Sequence, residues 1–199
     1  MGKVIERLLL FVACLLAAYQ VAVGIDGLGT FVVTSYTIGF GVLLISLLMM
    51  VILGFDILGS PLVVIISTII PLGISMGLVA EYLPGASSMY LIYVILGLAA
   101  VVWTRLNSEG SLPVQILVVV HGVSGLTIFG LPLVFSLAGV TPPGFLFFSL
   151  GGALMGLAGI LLSALRAGKP IISQTKILTA LPVVLLLVSA AFVAGFALG

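Results

Sequence analysis

Charged residues are scarce in this chain: only 6% of its 199 residues are Asp, Glu, Lys or Arg, whereas 63% are apolar. A water-soluble domain carries roughly 25% charged residues, because polar groups must cover its outer surface. The composition therefore excludes a soluble domain of the usual kind. The net charge of +1 also argues against a nucleic-acid partner, which requires a clustered basic face.

Residues that hold metals and cofactors are equally scarce. Cys14 is the one cysteine, so an intramolecular disulfide is excluded, and His121 is the one histidine. The sequence has no Cys/His cluster for zinc, no phosphate-binding glycine loop and no second histidine with which to hold a b-type haem. We therefore predict no metal and no cofactor.

The interiors of the apolar stretches contain no lysine, arginine or acidic residue. Ion-coupled carriers usually keep ionisable groups within the hydrocarbon, so this absence argues against a proton pump, a driven antiporter and a retinal protein. It also leaves no paired carboxylates for hydrolysis, and an enzymatic role is disfavoured. The acidic residues lie in loops or at segment ends, at Glu6, Asp26, Asp56, Glu81 and Glu109.

Seven apolar segments make up most of the chain. Most reach the ~20 residues that a helix needs to cross about 30 Å of hydrocarbon. Because the connections are short, the sequence predicts a single all-α polytopic transmembrane domain over residues 1–199, with no soluble domain. Pro132 is interpreted as a kink, or as the start of a short half-helix after Gly130, and not as a division between two crossings. The segments cover residues 8–23, 31–55, 61–80, 89–104, 112–138, 145–165 and 177–198.

The basic residues all fall on one side of this threading. The positive-inside rule then predicts a multi-pass protein of the cell membrane, with a cytoplasmic N-terminus and with Gly199 outside. The residues lie before the first segment, in the fourth connection and in the sixth connection: Lys3 and Arg7, then Arg105, then Arg166, Lys169 and Lys176.

Small residues form a stripe along the sixth segment. In lipid there is little hydrophobic drive between helices, so small residues that allow close approach are typical of helix contacts. The stripe is interpreted as a packing seam inside the bundle, with an oligomer interface or the approach of a ligand as the alternatives. Its members recur at steps of three, four, three and four residues: Ser149, Gly152, Gly156, Gly159 and Ser163.

Two outer hairpins resemble each other faintly. Each runs from a glycine to a phenylalanine that is followed four residues later by a serine. If segments one to three and five to seven are repeats joined by a single helix, the fold is a parallel 3+1+3 arrangement of a kind found in small transporters. The matching positions are Gly24, Phe31 and Ser35 in the first hairpin and Gly139, Phe145 and Ser149 in the second.

His121 is the one ionisable side chain predicted in the membrane interior, and Ser124 shares its helix face. The functional interpretation is a side chain that hydrogen-bonds a solute, relays protons or ligates a haem. The structural interpretation is a neutral imidazole bonded to Ser124 or to a neighbouring helix.

Hydroxyl side chains surround Pro71 in the third segment. A proline in a helix frees a backbone carbonyl, and nearby hydroxyls can bond to it. The alternative is a cavity that these hydroxyls line, with Gln115 and His121 across from them, suited to a neutral or weakly polar solute. The hydroxyl residues are Ser67, Thr68 and Ser75.

Two functions are consistent with these observations. One is a small transporter or channel-like protein that binds or passes a neutral or apolar solute. The other is a non-catalytic structural subunit of a larger membrane complex, for example a respiratory one. The expected partners are the lipid bilayer and either further copies of the chain or that complex. A small-residue stripe inside the bundle favours the first function, and a lipid-facing stripe favours the second.

Overall fold

The computed structural model describes residues 2–25, 27–166 and 171–199, and it contains seven long helices and no strand within those ranges. Asp26 and Lys169 lie outside the described residues. All seven helices are long and apolar enough to cross a membrane. They are α1 (Lys3–Val23), α2 (Thr30–Leu53), α3 (Pro61–Tyr82), α4 (Ser87–Asn107), α5 (Leu112–Leu137), α6 (Leu146–Arg166) and α7 (Gln174–Leu198).

The seven predicted segments are thus confirmed as helices, with small shifts at their ends. The largest shift is in α1, which begins at Lys3 because its polar first turns continue the helix beyond the apolar run. Helix α5 is continuous through Pro132, so this segment is one helix and is not divided into two crossings. Glycine ends α1 and α2: Gly24 and Gly54 adopt φ values of 70° and 78°, which side chains with a Cβ rarely reach.

Six of the described helices form a closed ring. Going around it, each helix packs against the next in the order α1, α2, α3, α5, α6, α7, and α7 packs against α1. Helix α4 lies outside the ring and packs against α3 and α5. We call the end of the ring at which α1, α3, α5 and α7 finish the upper end.

The ring has one apolar core, to which all six of its helices contribute buried side chains. Helix α3 is the most enclosed, because every residue from 70 to 79 is buried. A smaller cluster joins α4 to the ring through Val101 of α4, Val64 and Leu72 of α3, and Leu117 and Val120 of α5. The ring therefore contains the main core, and α4 packs against its side.

Helices α2 and α3 approach closely at glycines. Tyr36 of α2 covers Gly77 of α3, and a Cβ built on Gly77 would lie 2.5 Å from Tyr36 Cε1. In return, Gly39 of α2 makes room for Ile74 of α3, whose Cγ1 would be 2.8 Å from a Cβ at Gly39. Each helix thus supplies one large side chain and one glycine to the contact.

The contact between α6 and α7 is built in the same way. Phe148 of α6 covers Gly195 of α7, where a Cβ would lie 2.7 Å from Phe148 Cδ2. Gly151 of α6 makes room for Phe192 of α7, whose Cδ1 would be 2.6 Å from a Cβ at Gly151. We call these two contacts the reciprocal crossings.

Replacing Gly73 with alanine should destabilise the protein, because the new Cβ would lie 3.0 Å from two backbone atoms, Gly39 N and Ser35 O. Overpacking of this kind costs roughly 1–3 kcal/mol of unfolding free energy. Gly125→Ala is the matched control, because a Cβ at Gly125 meets nothing within 4 Å. Thermal unfolding in mild detergent should show a lower Tm for Gly73→Ala alone, and equal Tm values would contradict the close approach of α2 and α3.

Candidate functional site

The hydroxyls around Pro71 bond to the backbone of their own helix. Ser67 Oγ and Thr68 Oγ1 donate to the carbonyl of Val64 at 3.0 and 2.8 Å. Ser75 Oγ donates to the carbonyl of Pro71 at 2.6 Å. The three hydroxyls therefore bond within their own helix, but not to the carbonyl that Pro71 frees, which is that of Ser67.

The structure does not bring Gln115 against Pro71. Gln115 is exposed in the first turn of α5, where its Nε2 lies 3.4 Å from Ser111 Oγ. Thr68 and Ser75, by contrast, have no exposed surface. A cavity lined by both groups, and solute binding by these residues, stay predictions.

Ser124 is bonded to α4, not to His121. Its hydroxyl lies 3.2 Å from the hydroxyl of Tyr93, which also donates to the carbonyl of Val120 at 2.7 Å. His121 is half-buried, and its buried Nδ1 has no hydrogen-bond partner among the described residues. The expected His121–Ser124 bond is therefore replaced by a Tyr93–Ser124 contact.

The small-residue stripe of α6 divides into two parts. Its upper part is a close helix contact: a Cβ on Gly152 would lie 2.9 Å from Ile128 Cγ2, and Ser149 is buried. In its lower part, a Cβ on Gly156 or Gly159 would meet nothing within 4 Å, and Ser163 is half-buried. The packing seam thus extends along the upper part of the stripe, where α6 meets α5.

An aromatic cluster fills the upper centre of the ring. Rings from α2 and α7 meet edge to face, with centroids 4.9 Å apart for Tyr36–Phe196 and 6.1 Å apart for Phe40–Phe192. Phe148 of α6 packs against Phe192 and Phe196 at 4.9 and 4.7 Å. Aromatic pairs in such arrangements add about 0.5–1.5 kcal/mol beyond their burial. The cluster therefore joins helices that are not neighbours around the ring.

One acidic side chain reaches this cluster. Tyr36, only 2% exposed, donates a hydrogen bond of 2.9 Å from its hydroxyl to Glu81 Oε2, at the upper end of α3. Beside Tyr36 lies a cavity of about 10 Å³ that Gln20 and Thr37 also line. This is about the space of a single water molecule.

Sequence reasoning missed the Tyr36–Glu81 pair because it treated Glu81 as a polar segment end. The two residues are 45 positions apart, and no residue near either of them in the sequence indicates that they pair. A tyrosine among the polar residues at the start of α2 was the available signal, since a buried phenol requires a hydrogen-bond partner.

Comparison of the chain with protein-family models, with curated proteins and with solved structures finds no match. Its function is therefore argued from its own contacts.

His121→Leu should leave the Tm unchanged or raise it, because it removes a buried nitrogen, Nδ1, that has no hydrogen-bond partner among the described residues. Tyr93→Phe should lower the Tm, because it leaves Ser124 without its inter-helix contact, at a cost of roughly 1–3 kcal/mol. Thermal unfolding of both variants beside wild type measures this. A larger loss for His121→Leu than for Tyr93→Phe would show that the imidazole is the more important group.

Proposed function

We propose that the chain is a multi-pass membrane protein whose lower end faces the cytoplasm. Seven helices of spanning length support this, as do the large apolar side chains on the outer surface, for example Leu126 and Ile160, which are 70% and 60% exposed. Lipid would cover such side chains, and helices satisfy their own backbone groups within hydrocarbon. The distribution of lysine and arginine supplies the orientation.

We further propose a parallel 3+1+3 arrangement in which α1–α3 and α5–α7 are equivalent units and α4 links them. The two reciprocal crossings support it. Phe148 and Gly151 follow Tyr36 and Gly39 by the same 112 residues, and Phe192 and Gly195 follow Ile74 and Gly77 by the same 118 residues. This arrangement pairs α1 with α5, α2 with α6 and α3 with α7. Under that pairing, any two helices in contact around the ring correspond to two other helices that are also in contact.

This register differs from that of the two outer hairpins. The hairpin positions Phe31 and Phe145 are 114 residues apart, two more than the equivalent residues of the crossings. Two residues rotate a position by about 200° around a helix, so the hairpin pattern pairs different faces. The repeat proposal therefore depends on the contacts and not on that pattern.

The function best supported is that of a transporter-like protein for a neutral or apolar small solute. Parallel repeats in transporters place the substrate between the two units and move one unit against the other. The observation that carries the proposal is the pair of reciprocal crossings, because each crossing makes its own unit rigid. The proposed solute class follows from the core of the ring, which is built from aromatic and aliphatic side chains.

A non-catalytic subunit of a larger membrane complex is the second candidate. It is favoured by the lower part of the α6 stripe, where Gly156 and Gly159 have open space in front of them. Small residues on an open helix face allow another helix to approach closely.

Orientation can be tested with single cysteines in two exposed loop positions, after the buried Cys14 is changed to serine. A membrane-impermeant thiol reagent should label Val140→Cys in intact cells and Glu109→Cys only after the membrane is opened, because the two loops lie at opposite ends of α5. The reverse pattern would overturn the orientation, and labelling of both in intact cells would contradict the threading.

Transport can be tested with the purified protein in lipid vesicles, by stopped-flow light scattering with small neutral solutes. Vesicles with protein should take up the solute faster than protein-free vesicles and exclude salt. Gly156→Leu should keep this activity, since a Cβ at Gly156 meets nothing within 4 Å. Equal uptake with and without protein contradicts transport. If Gly156→Leu also releases a co-purifying protein or dissociates an oligomer, the subunit function is supported instead.

A further inference from the structure

Tyr36 and Phe148 occupy equivalent positions in the two reciprocal crossings and face each other. Each covers a glycine of the next helix, and their ring centroids are 6.5 Å apart. Two equivalent side chains can meet only where the two units meet. Tyr36 and Phe148 therefore lie on either side of the axis that relates the two units, near the upper end of the ring. We call this line the axis.

The equivalence fails at one polar pair. Tyr36 has a hydroxyl and Phe148 has none, and the position equivalent to Glu81, 118 residues further on, is Gly199. The hydrogen bond from Tyr36 to Glu81 therefore has no counterpart in the second unit. The reciprocal crossings repeat in both units, but this hydrogen bond is present in only one of them. We take this difference to indicate a role for the bond beyond holding one unit together.

The bond determines where the Tyr36 ring lies. It holds the hydroxyl at α3 while the ring covers Gly77 and meets the ring of Phe196 edge to face at 4.9 Å. Glycine offers no side chain that would keep the ring in place. A hydrogen bond to a carboxylate is stronger than one between neutral groups, so Glu81 is a suitable anchor.

We propose that the Tyr36–Glu81 hydrogen bond is a latch that keeps the upper end of the axis closed. The proposal rests on the transporter-like function, in which the closed end must open in each cycle. Breaking one hydrogen bond releases the Tyr36 ring from Gly77 and from the second unit. Ile74 of α3 stays packed on Gly39 of α2, so this second half of the α2–α3 crossing keeps α2 attached to α3.

The test measures access to the upper end in purified protein. Gln20 is 6% exposed and lines the small cavity beside Tyr36, so Gln20→Cys in a Cys14→Ser background reports opening there. Tyr36→Phe should raise the rate of labelling by a water-soluble thiol reagent at least about tenfold, as a shift of ~1.4 kcal/mol in the opening equilibrium would. Because phenylalanine already fills the equivalent position 148, this variant is expected to fold.

Four further variants make the result specific. Glu81→Leu should raise labelling as much as Tyr36→Phe, and the double variant should add nothing, since both changes remove the same bond. Glu81→Gln should raise it less, because an amide oxygen still accepts a hydrogen bond. Tyr93→Phe, which removes a hydroxyl between α4 and α5 outside the ring, should leave labelling unchanged.

Unchanged labelling in Tyr36→Phe and Glu81→Leu would overturn the latch, and so would an equal increase in Tyr93→Phe, which would indicate general loosening. The vesicle assay separates this result from the proposed function. Solute uptake by wild type with no labelling change in the variants leaves transport standing and removes the latch. Increased labelling without solute uptake leaves a latch that serves a function other than transport.

Discussion

The fit of a large side chain onto a bare glycine backbone is the interaction on which the ring depends. Helices in an apolar environment gain little from hiding apolar surface, so contact area and close approach must hold them together. An aromatic ring of the neighbouring helix packs directly on the backbone of Gly77 and of Gly195. In return, a side chain of the partner helix packs on Gly39 and on Gly151. A side chain at any of the four would separate two helices, and with them the core that all six ring helices share.

The sequence predicted the helices well and their neighbours poorly, for a physical reason. Apolar length determines whether a segment forms a helix, and this property is local. Which helix packs against which depends on side chains far apart in the chain, such as Tyr36 with Gly77 or Tyr93 with Ser124. The division of the α6 stripe at Gly152 could not be predicted either, because it depends on how far along α6 the contact with α5 extends.

Most of the candidate polar site has a local explanation. Three of its polar side chains donate hydrogen bonds to carbonyls of their own helix, so they have little hydrogen-bonding capacity left for a solute: Ser67, Thr68 and Ser75. His121 differs, because its Nδ1 is buried without a described partner. The Tyr36–Glu81 pair joins α2 to α3 beside the aromatic cluster. Polar groups within one helix thus stabilise local structure, whereas a pair between helices can control their relative position.

Helix α4 stands outside the ring, and the proposed 3+1+3 arrangement gives a reason for its presence. A group of three helices starts at one side of a membrane and finishes at the other. A second copy joined directly to it would be inserted upside down and could not repeat the same contacts. One additional crossing returns the chain to the original side, and any apolar helix of sufficient length serves that purpose. In the proposed arrangement α4 therefore needs mainly hydrophobicity and its tyrosine contacts to α5, whereas the ring helices also need the glycines at which they approach each other.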